Sequence, residues 1–201
     1  MKAFTRGCGL ALLLGGVLTI LINVIVAPLM FNNHTSALPE TTNLFLLRQS
    51  ASGVAALFLI FGCLGVHLVQ RTASGIFGAI AFIVSFVGGC LLFAVEFTDV
   101  FVLRALAKTS PDVLAALDKN SLMNIGFASA AGLFALGWIL LPISVWWAGV
   151  LSRWAAVTTL VGLLSIPLLQ ASPLHLSGAS AGNFIFGVGL MGLGRAVARK
   201  E

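Results

Sequence analysis

Charge is scarce in this sequence. Of the 201 residues, 11 are Lys or Arg and six are Asp or Glu, so charged residues make up 8% of the chain. A soluble domain carries about 25% charged residues, and the shortage argues against an ordinary soluble fold. A net charge of +5 is also seen in proteins that bind nucleic acid. Here the cations lie at the predicted helix ends and do not cluster on one soluble face, so no nucleic-acid partner is expected.

Cysteine and catalytic motifs are also few. Cys8, Cys63 and Cys90 have no metal-ligand spacing and lie in or beside apolar segments, so we expect reduced, unliganded thiols. The sequence contains no P-loop, H-E-x-x-H or C-x-x-C pattern. The three histidines fall at different predicted depths, which argues against a bis-histidine haem. We therefore expect no catalytic residue, no metal and no cofactor, and the sequence favours a non-catalytic role.

Long uncharged runs are what the chain has instead. Residues 49–70, 72–95, 120–152 and 154–194 contain no Asp, Glu, Lys or Arg. A helix needs about 20 apolar residues to cross roughly 30 Å of hydrocarbon. The sequence therefore predicts an all-α, polytopic membrane helix bundle, folded as one domain over residues 1–201. Six transmembrane helices are expected, over residues 8–29, 49–70, 75–97, 122–146, 153–169 and 177–197.

The boundaries of these helices follow from turn signals. A tight turn is expected at residues 71–75, and the third helix has no break before Asp99 and Arg104. Ser110-Pro111-Asp112 is typical of a helix start, so a short interfacial helix to Lys119 is expected between the third and fourth spans. The last uncharged run is too long for one crossing, and its Pro and Gly residues place a break between residues 168 and 182.

Orientation follows from the distribution of cations. With the N-terminus inside, seven Lys and Arg residues lie on the inner side and four on the outer side. This distribution predicts that both termini are cytoplasmic. An aromatic belt is expected at the membrane surface. Trp146, Trp147 and Trp154 flank the turn on the inner side that contains Arg153, which fits this expectation. The predicted location is a bacterial inner membrane.

Polar residues in the outer half of the bundle are the candidate site. Glu96 is about 31 Å along the third helix, by a rise of about 1.5 Å per residue, and Asp99 shares its face. Ionisable residues at membrane depth are functional candidates. The predicted ligand-binding set, drawn from five of the six helices, is Glu96, Asp99, Arg48, Asn23, Asn124 and Asn183. The alternatives are a hydrated interfacial acid cluster and polar groups that only join helices by hydrogen bonds.

One set of short segments resembles a known group of proteins. The segments are residues 62–71, Gly75-Ile76-Phe77-Gly78, residues 96–106, residues 111–114, Leu136-Gly137-Trp138 and residues 148–155. Together they are similar to small six-helix bacterial inner-membrane proteins that have no assigned function. The resemblance covers about residues 48 to 197. It implies a six-helix inner-membrane protein and transfers no catalytic residue.

Three functions remain open from the sequence. The first is a non-catalytic binding protein or accessory subunit, with the lipid bilayer, other membrane subunits or a second copy of the chain as partners. The alternative is a small transporter or channel that uses the outward-facing polar cluster, and the third is an intramembrane enzyme. An accessory subunit predicts exposed small or aromatic residues on the lipid-facing surface. A transporter predicts a polar cavity that continues past the midplane.

Overall fold

The chain is helical wherever its structure is described. A computed structural model describes residues 2–32, 38–118, 121–171 and 175–200, and these residues form helices and no strand. The α-helices are α1 Lys2–Ile20, α2 Ala27–Asn32, α3 Asn43–Thr98, α4 Arg104–Thr109, α5 Pro111–Asp118, α6 Ser121–Ala148, α7 Arg153–Gln170 and α8 His175–Arg199. Two π-helical segments, Leu21–Val26 and Asp99–Leu103, join α1 to α2 and α3 to α4. The predicted all-α class is confirmed.

Several helices are long and apolar enough to cross a membrane. Within the described ranges these are Lys2–Met30, Asn43–Thr109, Leu122–Ala148, Arg153–Gln170 and Ala179–Arg199, five in all. Large apolar side chains cover their outer faces; Ile76 is 82% exposed and Leu168 is 72% exposed. Water disfavours such a surface and lipid tails accommodate it.

Gly75 divides the longest of these stretches into two arms. At about 1.5 Å per residue, the 67 residues of Asn43–Thr109 would measure about 100 Å, far more than one crossing. Gly75 has φ 56° and ψ −148° and interrupts the helix. Arm 1 (residues 43–74) and arm 2 (residues 75–98) then fold back on each other, with His67 stacked on Phe82 at 4.5 Å between ring centroids. The predicted turn at residues 71–75 thus contains one non-helical residue.

Several helix ends differ from the predicted ones. Arm 1 begins at Asn43 rather than at residue 49, because the Thr42 hydroxyl oxygen accepts a hydrogen bond from the Phe45 backbone N–H at 3.1 Å. This side-chain cap stabilises a helix start within a polar segment. The first helix begins at Lys2 rather than at residue 8. The continuation of the third helix through Asp99 and Arg104 is confirmed.

The helices pack in the order arm 1, α1, α8, α7, α6 and arm 2. Small residues allow the closest approaches. A Cβ on Gly9 of α1 would lie 2.5 Å from the Ala198 backbone nitrogen of α8, and one on Gly62 of arm 1 would lie 2.6 Å from a Leu12 methyl carbon. Glycine at these positions lets backbones approach closely, as expected for helices in lipid.

The two ends of the bundle differ in polarity. The hairpin end, which holds Gly75, contains a packed core in which Leu12, Val66, Trp138 and Leu141 are at most 1% exposed. Its main polar contact is a buried hydrogen bond of 2.8 Å from the Gln70 amide to the Ser144 hydroxyl. The opposite end holds the two π-helical segments and is called the polar end below.

The short helix α5 covers part of the polar end. It begins at Pro111, and Leu114 is buried against Leu103 and Ala107. Val113 is 49% exposed, so α5 packs on the bundle through Leu114 and leaves Val113 at the surface. Lys119, the predicted last residue of this helix, lies outside the described residues.

Candidate functional site

A cavity of about 150 Å³ lies at the polar end of the bundle. Its polar lining consists of Thr19, Asn23, Arg48, Ser52, Glu96 and Asn183. Four of the six residues predicted as a site, Asn23, Arg48, Glu96 and Asn183, therefore face one space. Apolar side chains complete the wall, among them Leu59, Phe134 and Phe186.

Arg48 and Asp99 are connected through Gln49. The Arg48 guanidinium donates from Nη1 to the Gln49 side-chain oxygen at 2.6 Å, and the Gln49 amide donates to Asp99 Oδ2. Gln49 is only 5% exposed. Asp99 therefore joins the two arms and is not among the residues that line the cavity.

Arg104, the nearest cation to Glu96 in sequence, is directed elsewhere. Its guanidinium donates from Nη1 to the Thr42 backbone oxygen and from Nη2 to the Asn43 side-chain oxygen at 3.1 Å. It therefore ties α4 to the start of arm 1. Among the described residues that line the cavity, the cation is Arg48.

Two ionic groups in the cavity lining have buried atoms without a partner in the described part of the chain. These atoms are Nε of Arg48 and Oε2 of Glu96. An unpaired buried polar atom costs about 1–3 kcal/mol, and more when the group is charged. Buried polar groups are normally paired, so both atoms remain available for a further hydrogen bond.

Two asparagines supply the neutral part of the wall. The Asn23 amide donates to the Thr19 carbonyl at 3.0 Å, and the Asn183 amide donates to the Ala179 carbonyl at 2.9 Å. Each amide retains a second N–H and a carbonyl oxygen for other partners. The Ser180 hydroxyl also donates to the Asn23 backbone oxygen at 3.0 Å, which ties α8 to the first π-helical segment.

Asn23 lies in the π-helical segment Leu21–Val26 and lines the cavity. At the end of this segment the Ala27 N–H donates to the Ile22 carbonyl, five residues back. The second π-helical segment begins at Asp99, at the same end of the bundle. Single π-helical turns inside α-helices occur frequently at functional sites.

The structure separates one predicted residue from the others. Asn124 is exposed on α6 and does not line the cavity. Its depth along the helix was predicted from the sequence, but its direction around the helix axis was not.

Three residues of the site were missing from the predicted set. Ser52 lies four residues after Arg48 and Thr19 four residues before Asn23, so helical spacing alone places each pair on one face. Gln49 is on another side of arm 1 from Arg48, and no sequence signal pointed to its contact with Asp99.

Residues 178–182 match the G-x-S-x-G spacing, which the sequence reasoning overlooked. In a nucleophile elbow the serine occupies a sharp turn between a strand and a helix. Here Ser180 lies inside α8, and its hydroxyl donates to a backbone oxygen. The pattern does not form a nucleophile elbow.

Other chemically interesting residues lie apart from the cavity. His67 is stacked on Phe82, as expected for a packed histidine. Cys8 and Cys63 are buried, whereas Cys90 is exposed. Among residues 2–32, 38–118, 121–171 and 175–200, no group of three or more His, Cys, Asp and Glu side chains has a geometry for a metal ion.

Relatives offer no independent indication of function. Comparison with protein-family models, with curated proteins and with solved structures finds no match to this chain.

Proposed function

We propose that this chain is a multi-pass membrane protein that binds a small polar ligand in the cavity at the polar end. The observation that carries the proposal is the pair of unpartnered buried atoms, Arg48 Nε and Glu96 Oε2, in one cavity lining. A ligand that hydrogen-bonds to both would remove the cost of leaving them unpaired.

The packing supports binding more than conduction. The polar residues of the cavity lie towards one end, and Leu59, Phe134 and Phe186 lie towards the core. Beyond them, Leu141, Val145 and Leu193 are fully buried at 0% exposure. A channel requires a polar path through the bundle, and this core argues against one in the described conformation.

The proposed topology has six spans with both termini in the cytoplasm of a bacterial cell. The two arms of α3 count as separate spans, because they are joined at Gly75 and contact each other along their length. The distribution of cations favours placing the polar end outside. The cavity then lies in the outer half of the inner membrane.

A second candidate function, as an accessory subunit, is favoured by the surface of α6. A Cβ on Gly126 or Gly132 would meet no atom within 4 Å, and Trp147 is 78% exposed. Exposed small and aromatic residues are the surface expected for packing on another membrane subunit or a second copy. The resemblance to small six-helix inner-membrane proteins is compatible with either function.

Filling the cavity tests the binding function. Ala56 lines the cavity and is 1% exposed, so Ala56→Leu places added atoms in or beside it. Ala131 is exposed on α6, which makes Ala131→Leu the matched control. The chains are extracted with native lipid in polymer discs, and the small molecules that they retain are identified by mass spectrometry.

We expect a small molecule that is retained by the wild type and by Ala131→Leu and is lost from Ala56→Leu. Glu96→Gln, which preserves the shape of the side chain, is expected to lose the same molecule and serves if Ala56→Leu does not fold. Equal retention by all variants, or no retained small molecule in the wild type, would contradict the binding function.

A further inference from the structure

We infer that the ligand is a small zwitterion, with its carboxylate on Arg48 and its ammonium group on Glu96. The inference rests on the proposed function and names the chemical class that the cavity selects. It follows from the signs of the charged residues at the cavity, the atoms of these residues that have no hydrogen-bond partner, and the volume of the cavity.

The first argument is the sign of the charges. Arg48 on arm 1 and Glu96 on arm 2 line the same cavity, and Asp99 lies next to it through Gln49. A simple cation could pair with Glu96 but would leave Arg48 without an ion-pair partner, and a simple anion could pair with Arg48 but would leave Glu96 without one. A molecule with one charge of each sign pairs with both groups.

The second argument is the set of free atoms. Arg48 uses Nη1 to bind Gln49, while its Nε has no partner. The guanidinium edge formed by Nε and Nη2 is well suited to two parallel hydrogen bonds with a carboxylate. Oε2 of Glu96 is also without a partner. An ionised carboxylate can only accept hydrogen bonds, and an ammonium group donates them.

The third argument is size. A cavity of about 150 Å³ is comparable with a cavity that admits benzene, a ring of about six heavy atoms. Alanine and 4-aminobutanoate are close to this size. Leu59 and Phe186 provide an apolar wall for the methyl or methylene groups of such a molecule. A nucleotide or a sugar phosphate is too large.

Four probe compounds test the assignment. The full-length protein is placed in lipid nanodiscs and titrated by calorimetry, at constant ionic strength, with alanine, 4-aminobutanoate, acetate and methylammonium. We expect at least one of the two zwitterions to bind tenfold or more tightly than acetate and methylammonium do. The singly charged compounds each lack one of the two partners that the cavity offers.

Two charge-neutralising variants identify the ends of the ligand. Glu96→Gln is expected to weaken zwitterion binding at least tenfold without weakening acetate binding. Arg48→Gln is expected to weaken zwitterion binding similarly without weakening methylammonium binding. Asp112→Asn, at an exposed acid of α5, is the matched control and is expected to bind as the wild type does. Glu96→Asp and Arg48→Lys replace any neutral variant that does not fold.

The outcomes separate this inference from the proposed function. If acetate or methylammonium binds as tightly as both zwitterions, or if none of the four compounds binds, the zwitterion assignment is overturned. The retention experiment with Ala56→Leu then still decides whether the cavity binds any small molecule. If zwitterions bind but neither Glu96→Gln nor Arg48→Gln weakens them, the assigned contacts are wrong.

Discussion

Gln49 donates a side-chain hydrogen bond to Asp99, 50 residues later in the chain, and so joins the two arms of α3 beside the cavity. Gln49 also accepts from Arg48 at 2.6 Å. The same amide therefore contacts the cation of the site and donates to the half-buried carboxylate of Asp99.

Replacing Gln49 is expected to destabilise the hairpin. Gln49→Leu removes the donor to the half-buried Asp99 carboxylate, at a cost of about 1 kcal/mol, the low end of the range for an unpaired buried polar group. Unfolding in mixed micelles measures the change. Gln170→Leu, at an exposed position at the end of α7, is the control and is expected to have little effect. Equal stability of the two variants would show that the hydrogen bond contributes nothing.

Gly75 is expected to tolerate alanine poorly. Its φ of 56° and ψ of −148° fall in a region populated almost only by glycine, and a residue with a Cβ pays about 1–3 kcal/mol there. Gly75→Ala should therefore lower the free energy of unfolding. Gly126→Ala is the matched control, because Gly126 lies inside α6 with open space around a Cβ. That substitution should be neutral or slightly stabilising, by up to about 1 kcal/mol. The reverse order of the two effects would be evidence against the hairpin geometry.

Reporter fusions test the six-span topology. A fusion after Lys119 is expected to be active with a periplasmic reporter, and a C-terminal fusion with a cytoplasmic reporter. The reason is the excess of cations on the side that carries both termini. A C-terminal fusion that is active only in the periplasm would contradict the proposed orientation.

The three cysteines are expected to remain thiols. Cys63 is buried and its sulfur donates to the Ile60 carbonyl at 3.1 Å, while Cys90 is exposed on the apolar surface. Alkylation under denaturing conditions, followed by intact-mass measurement, should find three modified thiols. In intact membranes a membrane-permeant reagent should label Cys90 before Cys63. Fewer than three modified thiols in the denatured chain would contradict the expectation.

The sequence predicted how far along its helix a residue lies. It predicted less well which side of the helix faces the cavity. Uncharged runs located the apolar helices because lipid restricts charge along their whole length. Residue number then gave the depth of Asn23, Glu96 and Asn183 through the rise per residue. Asn124 has a suitable depth and still lies outside the cavity lining, because its direction depends on how α6 is rotated against arm 2.

Local departures from regular α-helix were also not predictable from the sequence. Nothing in the residues of Leu21–Val26 or Asp99–Leu103 distinguishes a π-helical turn from an α-helical one, since the choice depends on neighbouring helices. The start of arm 1 was predicted too late for a different reason: the uncharged run begins at residue 49, and the role of Thr42 as a helix cap depends on the backbone turn before it.

The charged and the neutral polar residues of the cavity lie on different helices, and this affects how the cavity can change shape. Both ionic residues of the cavity lining, Arg48 and Glu96, belong to the α3 hairpin. Asn23 lies in the first π-helical segment and Asn183 in α8, and the Ser180 hydrogen bond joins these two segments. The spacing of the two charges is thus a property of one hairpin. A shift of α1 and α8 as a pair would change the width of the cavity and leave that spacing unaltered. The charges of a bound ligand and its size would then be recognised by separate parts of the bundle, so that either preference could change without the other.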